Sequence, residues 1–190
     1  MNEFSALCRI LGTLFYRQPN DPAIQPLWDL FAQGNLSQQW PLEQDELLSQ
    51  LQRPYETDAL IRDYQQLFGT DSPAVTPFGH LWPAGPEESA VRNFLTLRGM
   101  PLPAAPTDHF GLLLLAASWL EDHAAEDENQ ALILLFENYL LPWCASFLGK
   151  VEAHAQTGFY RALAMITRGA MQAMVEELLD NEADDEVEGD

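Results

Sequence analysis

The sequence predicts an all-α fold: a single-domain helical bundle with one long proline- and glycine-rich loop and an acidic C-terminal tail. Three observations predict it. Apolar residues recur at i, i+3, i+4 and i+7 in segment after segment, whereas the strict alternation of a half-buried strand is not found. The stretch 110–120 is apolar on every side, the pattern of a helix buried all round. And 190 residues, 47% of them hydrophobic, suffice for one substantial core but fall short of two. The expected division is a helical domain over 1–179 and, over 180–190, a disordered tail composed mostly of Asp, Glu and Ala.

In chain order, Phe4, Leu7, Cys8, Leu11, Leu14 and Phe15 form one buried stripe, with Asn2 as a cap and Pro19 as a stop. Leu60, Ile61, Tyr64, Leu67 and Phe68 repeat the pattern and end at Gly69. Residues 69–86 carry the turn formers and read as an irregular insertion. Residues 87–97 form a short helix, with acids in its first turn and Arg98-Gly99 at its end. The central apolar helix follows, with Pro106 before it, Thr107 as its cap and Asp108 in its first turn. Leu132, Leu135, Phe136 and Tyr139 form a helix that should break or kink near Pro142, since proline lacks the N–H and clashes with the preceding turn. Cys144, Phe147, Leu148 and Val151 start the next stripe, and Phe159, Leu163, Ile166, Ala170, Met174 and Leu178 the last.

Charge narrows the function. Nine basic residues, eight arginines and the single lysine Lys150, face 29 acidic ones for a net charge of −20. Nucleic-acid binding requires basic clusters that neutralise phosphates, so no nucleic-acid partner is expected. An acidic surface repels anionic lipids and attracts basic peptides. The apolar run 110–120 would span roughly 16 Å as a helix against ~30 Å of bilayer core, and the first residues show neither a basic nor an apolar signal region. A cytoplasmic chain with no membrane partner is therefore expected. Cys8 and Cys144 stand far apart on apolar faces, as buried thiols of a reducing compartment do.

Chemistry concentrates at two places. Asp108 and His109 sit at the mouth of the central helix, and the loop 77–82 supplies Pro77, Phe78, Gly79, Leu81 and Trp82. The helix dipole favours an ionised Asp108 and a neutral His109. A small hydrolase using Asp108 and His109 would need a nucleophile in a sharp turn, and no such motif occurs. His109 and His123 are roughly 21 Å apart on one helix, too far to share a metal, and no phosphate-cradling loop is present. No catalytic residue, metal site or cofactor is expected. Prolines restrict the loop, so its aromatics can be offered to a partner at low entropic cost, and docking is favoured over catalysis. A constitutive subunit of a larger complex is the remaining alternative.

These residues carry a resemblance. Leu67-Phe68, Pro77-Phe78-Gly79-x-Leu81-Trp82, Asp108-His109-Phe110-Gly111 before a leucine-rich helix, Leu141-Pro142-Trp143 and Gly158-Phe159-Tyr160-Arg161 occur in order, after Arg9-x-Leu11-Gly12-x-Leu14-Phe15-Tyr16. The pattern resembles the TorD/DmsD family, and within it the YcdY-type branch. The resemblance implies a cytoplasmic, non-catalytic, all-helical chaperone for redox enzymes, chiefly molybdoenzymes exported by the twin-arginine route. The partner it implies is a client metalloenzyme, bound as apo-enzyme or through its signal peptide. It assigns peptide binding to Asp108, His109, Pro77, Phe78, Gly79, Leu81 and Trp82. Independently of the resemblance, Asp108 could pair a guanidinium of the peptide, aided by Glu87 and Glu88 if these approach it in space. Thr107 stands where an acid is commoner in the family, and Phe78 where tryptophan often stands. The chain is expected to be monomeric, with dimerisation by exchange of helical elements as the alternative.

Overall fold

In the computed structural model, residues 3–34, 36–123 and 128–188 are described. The helices are α1 (Glu3–Tyr16), α2 (Gln25–Ala32), α3 (Leu36–Gln39), α4 (Asp45–Leu51), α5 (Thr57–Phe68), α6 (Glu88–Leu97), α7 (Phe110–His123), α8 (Glu128–Leu135), α9 (Leu141–His154) and α10 (Gly158–Glu188). Single 3-10 turns lie at Pro22–Ile24 and Gly79–Leu81. Among the described residues there is no strand, and the lone isolated bridge joins Phe78 to His109.

The apolar stripes land where their spacing put them. Phe4, Leu7, Cys8, Leu11, Leu14 and Phe15 of α1 are all buried, as are Phe159, Leu163, Ile166, Ala170, Met174 and Leu178 of α10. Helix α7 is the central post: Phe110, Leu113, Leu114, Ala116, Ala117 and Leu120 are fully excluded from solvent, while Leu115 and Trp119 are half-buried. A buried leucine contributes about 1.5–3 kcal/mol relative to an exposed one, so this one helix anchors much of the core.

α7 runs antiparallel to α1, and two glycines set how close they come. A Cβ on Gly12 would lie 2.8 Å from the Gly111 carbonyl oxygen, and one on Gly111 would lie 2.6 Å from the Gly12 carbonyl oxygen and 2.7 Å from the Tyr16 nitrogen. At the far end of the pair, the Ser5 hydroxyl donates to Asp122 Oδ1 (3.0 Å) and sits 2.9 Å from the Ser118 hydroxyl, with Arg9 ion-paired to Asp122.

The expected break at Pro142 takes a milder form. The chain remains helical from 129 to 154, and the disturbance is absorbed as a π-turn over Phe136–Leu140, in which the Leu141 N–H donates to the Phe136 carbonyl. Proline cannot donate to an i−4 carbonyl, and widening the preceding turn also relieves its ring clash. By length and composition this run is apolar enough to cross a membrane, but 56% of its most apolar window is buried within the protein, where it packs on α10 and α7.

Two further expectations are revised. Helices α2 to α4 occupy a stretch to which periodicity assigned no element; each is only one or two turns long and buries isolated residues such as Phe31, Leu36, Leu48 and Leu51. Helix α7 starts at Phe110, so Thr107 is not its cap and Asp108 is not in its first turn. Those residues are held extended by pairing with the loop 77–80. The backbone of α10 runs to Glu188, into the 180–190 segment expected to be a disordered tail, whose last two residues lie outside the described ones, as does the expected cap Asn2. Cys8 and Cys144 are free, buried thiols.

Gly12→Ala or Gly111→Ala should therefore destabilise the protein by about 3 kcal/mol, since the new Cβ meets backbone that cannot yield. Gly149→Ala is the matched control, because its Cβ would meet nothing closer than Arg168 Nη2 at 3.9 Å. It should stabilise α9 by up to about 1 kcal/mol. Urea denaturation of the three variants checks both signs.

Candidate functional site

The site forms where the loop between α5 and α6 meets the start of α7. The loop is tied at its origin, with the Ala74 and Val75 N–H groups donating to the Gln66 and Leu67 carbonyls (both 2.9 Å). It then runs antiparallel to 108–110: the Gly79 N–H donates to the Asp108 carbonyl (2.9 Å) and the Phe110 N–H to the Pro77 carbonyl (2.8 Å). Glycines let it turn tightly. A Cβ on Gly79 would lie 2.7 Å from Pro86, and one on Gly85 would lie 1.7 Å from the Gly79 carbonyl oxygen. The Trp82 indole N–H donates to the Thr76 carbonyl (3.0 Å), pinning that ring at 6.1 Å from Trp143 and 6.2 Å from Phe147. Trp143 is itself held by its indole N–H on the Tyr139 carbonyl (2.7 Å) in the π-turn.

Asp108 is fully buried. Its Oδ2 accepts from the His80 backbone N–H and lies against His80 Nδ1, both at 2.6 Å, whereas Oδ1 is buried with no hydrogen-bond partner among the described residues. His80 covers this carboxylate and is itself about one-third exposed. His80 was not among the residues marked from sequence. Its position two residues after Phe78, in a loop already marked for docking, was the available signal.

His109 takes the place expected of a cap. Its Nδ1 accepts the Gly111 N–H (3.1 Å), one of the donors a helix start leaves unpaired. Phe78 and Tyr16 hold the ring edge-on from two sides, at 5.3 and 5.0 Å. Burial pushes its pKa down to about 3, so the imidazole is neutral, as expected, although desolvation rather than the helix dipole is the cause. The Asp108 carboxylate bonds His80 and not His109, so the Asp108–His109 pair weighed for a hydrolase is not formed.

The seven residues marked from sequence do come together, in two layers. Pro77, Gly79, Asp108 and His109 are buried, forming the inner layer. Phe78 and Trp82 are half-buried and Leu81 is 59% exposed, forming the outer one. Lys150 Nζ lies 5.5 Å from the Trp82 ring centre. Glu88 approaches from α6 but is already engaged: Oε1 accepts from the Thr107 N–H and hydroxyl (3.0 Å each) and pairs with Arg92 (2.9 Å). Those donors, the Thr107 N–H foremost, hold its carboxyl below the usual range. This also explains Thr107: its hydroxyl serves Glu88 and not the helix.

The folded chain keeps His109 neutral down to about pH 3, whereas an unfolded histidine protonates near 6.5. Between these values the unfolded state binds more protons, so this contribution to stability is lost as the pH falls through the window. At pH 5 the loss is on the order of 2 kcal/mol. His109→Asn, which keeps an acceptor for Gly111, should flatten the pH dependence of the urea midpoint between pH 7 and pH 5. Equal slopes for the two proteins would show that His109 protonates without cost.

The profile of the nitrate reductase delta subunit family matches residues 33–149. The chain is 56% identical over 178 residues to the chaperone protein YcdY of Escherichia coli (strain K12), covering 94% of this chain and 97% of that protein. It is 39% identical over 182 residues to an uncharacterised protein of Haemophilus influenzae, covering 94% and 96%. It is 29% identical over 179 residues to the Tat proofreading chaperone DmsD of Salmonella typhimurium, covering 88% and 86%. With its all-helical architecture, this chain belongs to the nitrate reductase delta subunit family, the TorD/DmsD group of redox-enzyme maturation chaperones.

Proposed function

We infer that this chaperone binds the precursor of a metalloenzyme in the cytoplasm, through a segment that carries arginines followed by an apolar run, and releases it once the client has its cofactor. One observation carries the reading of the site: Asp108 Oδ1 is a buried carboxylate oxygen without a partner among the described residues, directly beneath a loop that offers Leu81, Phe78 and Trp82. A guanidinium supplies the donors that this oxygen lacks, and supplies them as a planar fork. The incoming group displaces the His80 ring from Oδ2 or slips beside it to Oδ1, and the apolar run lies across the loop. Burial of those side chains provides most of the affinity, and the carboxylate provides selectivity. The Tat proofreading role named for the DmsD relatives makes a twin-arginine signal peptide the first segment to try.

Fluorescence anisotropy with a labelled twin-arginine peptide, and with its Lys-Lys counterpart, tests this. Asp108→Ala should weaken binding at least tenfold, about 1.4 kcal/mol, while the thermal midpoint moves by only a few degrees. Trp82→Ala should weaken both peptides alike, through lost apolar contact. Unchanged affinity in Asp108→Ala would remove Asp108 from the site, and loss of folding in that variant would make its role structural.

A further inference from the structure

A second surface is built from other elements. A cleft of about 980 Å³ opens between the α1–α2 connection, the α4–α5 connection and the start of α10, and no residue of the Asp108 site lines it. Its floor is aromatic: Trp28 and Tyr55 pack on buried Phe159, with ring centres at 5.5 and 5.8 Å. Both outer rings are half-buried, and both have their polar atoms turned to the protein. The Trp28 indole N–H donates to the Pro19 carbonyl (2.9 Å), and the Tyr55 hydroxyl to the Gln50 carbonyl (3.0 Å). What they present to the cleft is therefore apolar and held in place. Gly158 makes room for this, since a Cβ there would lie 2.9 Å from the Tyr55 oxygen. Prolines 19, 22 and 54 stiffen the rim.

The charge on the walls is uneven. Asp21 and Arg53 are the formally charged lining residues. Asp21 is engaged on both oxygens, by the Ala23 N–H (2.9 Å) and by Arg17 (3.1 Å). Arg53 is exposed, and among the described residues its guanidinium has no ion pair, in contrast to Arg9, Arg17, Arg92 and Arg168. In a chain of net charge −20, a free guanidinium beside an apolar, pre-organised cleft is the complement of a carboxylate attached to an apolar anchor.

We propose that this cleft docks an extended client segment in which an aliphatic or aromatic side chain is followed by an acidic residue, the apolar group lying on Trp28 and Tyr55 and the carboxylate on Arg53. The proposal rests on the chaperone reading and adds to it a second contact of opposite charge preference. One site takes a basic segment at Asp108 and the other an acidic segment at Arg53, so a client carrying both is held at two points and gains from their linkage.

The probe is a labelled, end-capped peptide, Gly-Ser-Pro-Leu-Trp-Glu-Ser-Gly, titrated by anisotropy beside a version with Lys for Glu and a version with Ser-Ser for Leu-Trp. The expected result is saturable binding of the first peptide and at least tenfold weaker binding of the other two. Arg53→Glu, at an exposed position without a partner, should also bind it at least tenfold more weakly, and Asp108→Ala should bind it unchanged. Equal binding of the Glu and Lys peptides, equal binding by Arg53→Glu, or no binding at all overturns the proposal. Self-association in sedimentation that Trp28→Ala abolishes also overturns it, and assigns the cleft to a second copy of the chain. The twin-arginine titration is read separately, so a protein that binds that peptide but not the acidic probe loses the cleft and keeps its client site.

Discussion

Gly12 and Gly111 face each other where α1 and α7 cross, close enough that neither position accepts a methyl group. Both sides of the site depend on this approach. The end of α1 carries Tyr16 onto the His109 ring, and the start of α7 is fixed at a level where 108–110 pairs with the loop. Were the helices a methyl group further apart, Tyr16 would leave His109 with one aromatic neighbour instead of two, and the register between 77–80 and 108–110 would lose its support. Two glycines in the core thus set the position of the side chains around the site, His109 through its bond to the Gly111 N–H and Tyr16 through the approach of α1.

The second constraint is electrostatic. A buried carboxylate costs several kcal/mol unless its oxygens are hydrogen-bonded. Here the cost is met on one oxygen only, by two donors of a single residue, His80. A fully satisfied Asp108 would be a structural acid with nothing to offer a partner, and a fully exposed one would bind any cation weakly. A half-satisfied, covered carboxylate lies between these limits: it gains from a ligand that brings well-placed donors and loses to one that merely brings charge. The cover is part of the arrangement: the His80 side chain is about one-third exposed, whereas Pro77, Gly79 and His109 beneath it are buried.

The sequence carried the fold class and the long helices because their apolar stripes cover three or more turns, and the same spacing named most of the core. Helices α2 to α4 were not legible, since one or two turns cannot display a period. The start of α7 was misjudged for a related reason. Thr107 and Asp108 have the composition of a cap and a first-turn acid, but tertiary partners claimed them: Glu88 took Thr107, and the loop held the backbone extended. The members of the site were legible through the family pattern, and their layering was not. Nothing in Asp108-His109 says that the acid bonds a histidine 28 residues upstream while its neighbour caps a helix. The cleft at Trp28 and Tyr55 left no sequence signal, because it is assembled from α2, two connections and the start of α10, which share no motif.

Net charge and local charge play different parts in such a protein. At −20 the long-range field draws basic segments in and speeds encounter, an effect that salt screens within about 8–10 Å. That field does not distinguish a signal sequence from any other cationic stretch, nor arginine from lysine. Discrimination has to occur where solvent is excluded and geometry counts; under the proposed function that place is Asp108 beneath its loop, where a planar fork and a point charge are no longer equivalent. The same reasoning gives Arg53 its weight. On a neutral surface a free arginine is unremarked; in a chain of net charge −20 it is a guanidinium with no ion pair among the described residues, beside aromatic rings that already have their polar atoms satisfied. If the cleft docks an acidic segment as proposed, the attraction of its carboxylate to the nearby Arg53 guanidinium has to exceed the repulsion from the rest of the chain.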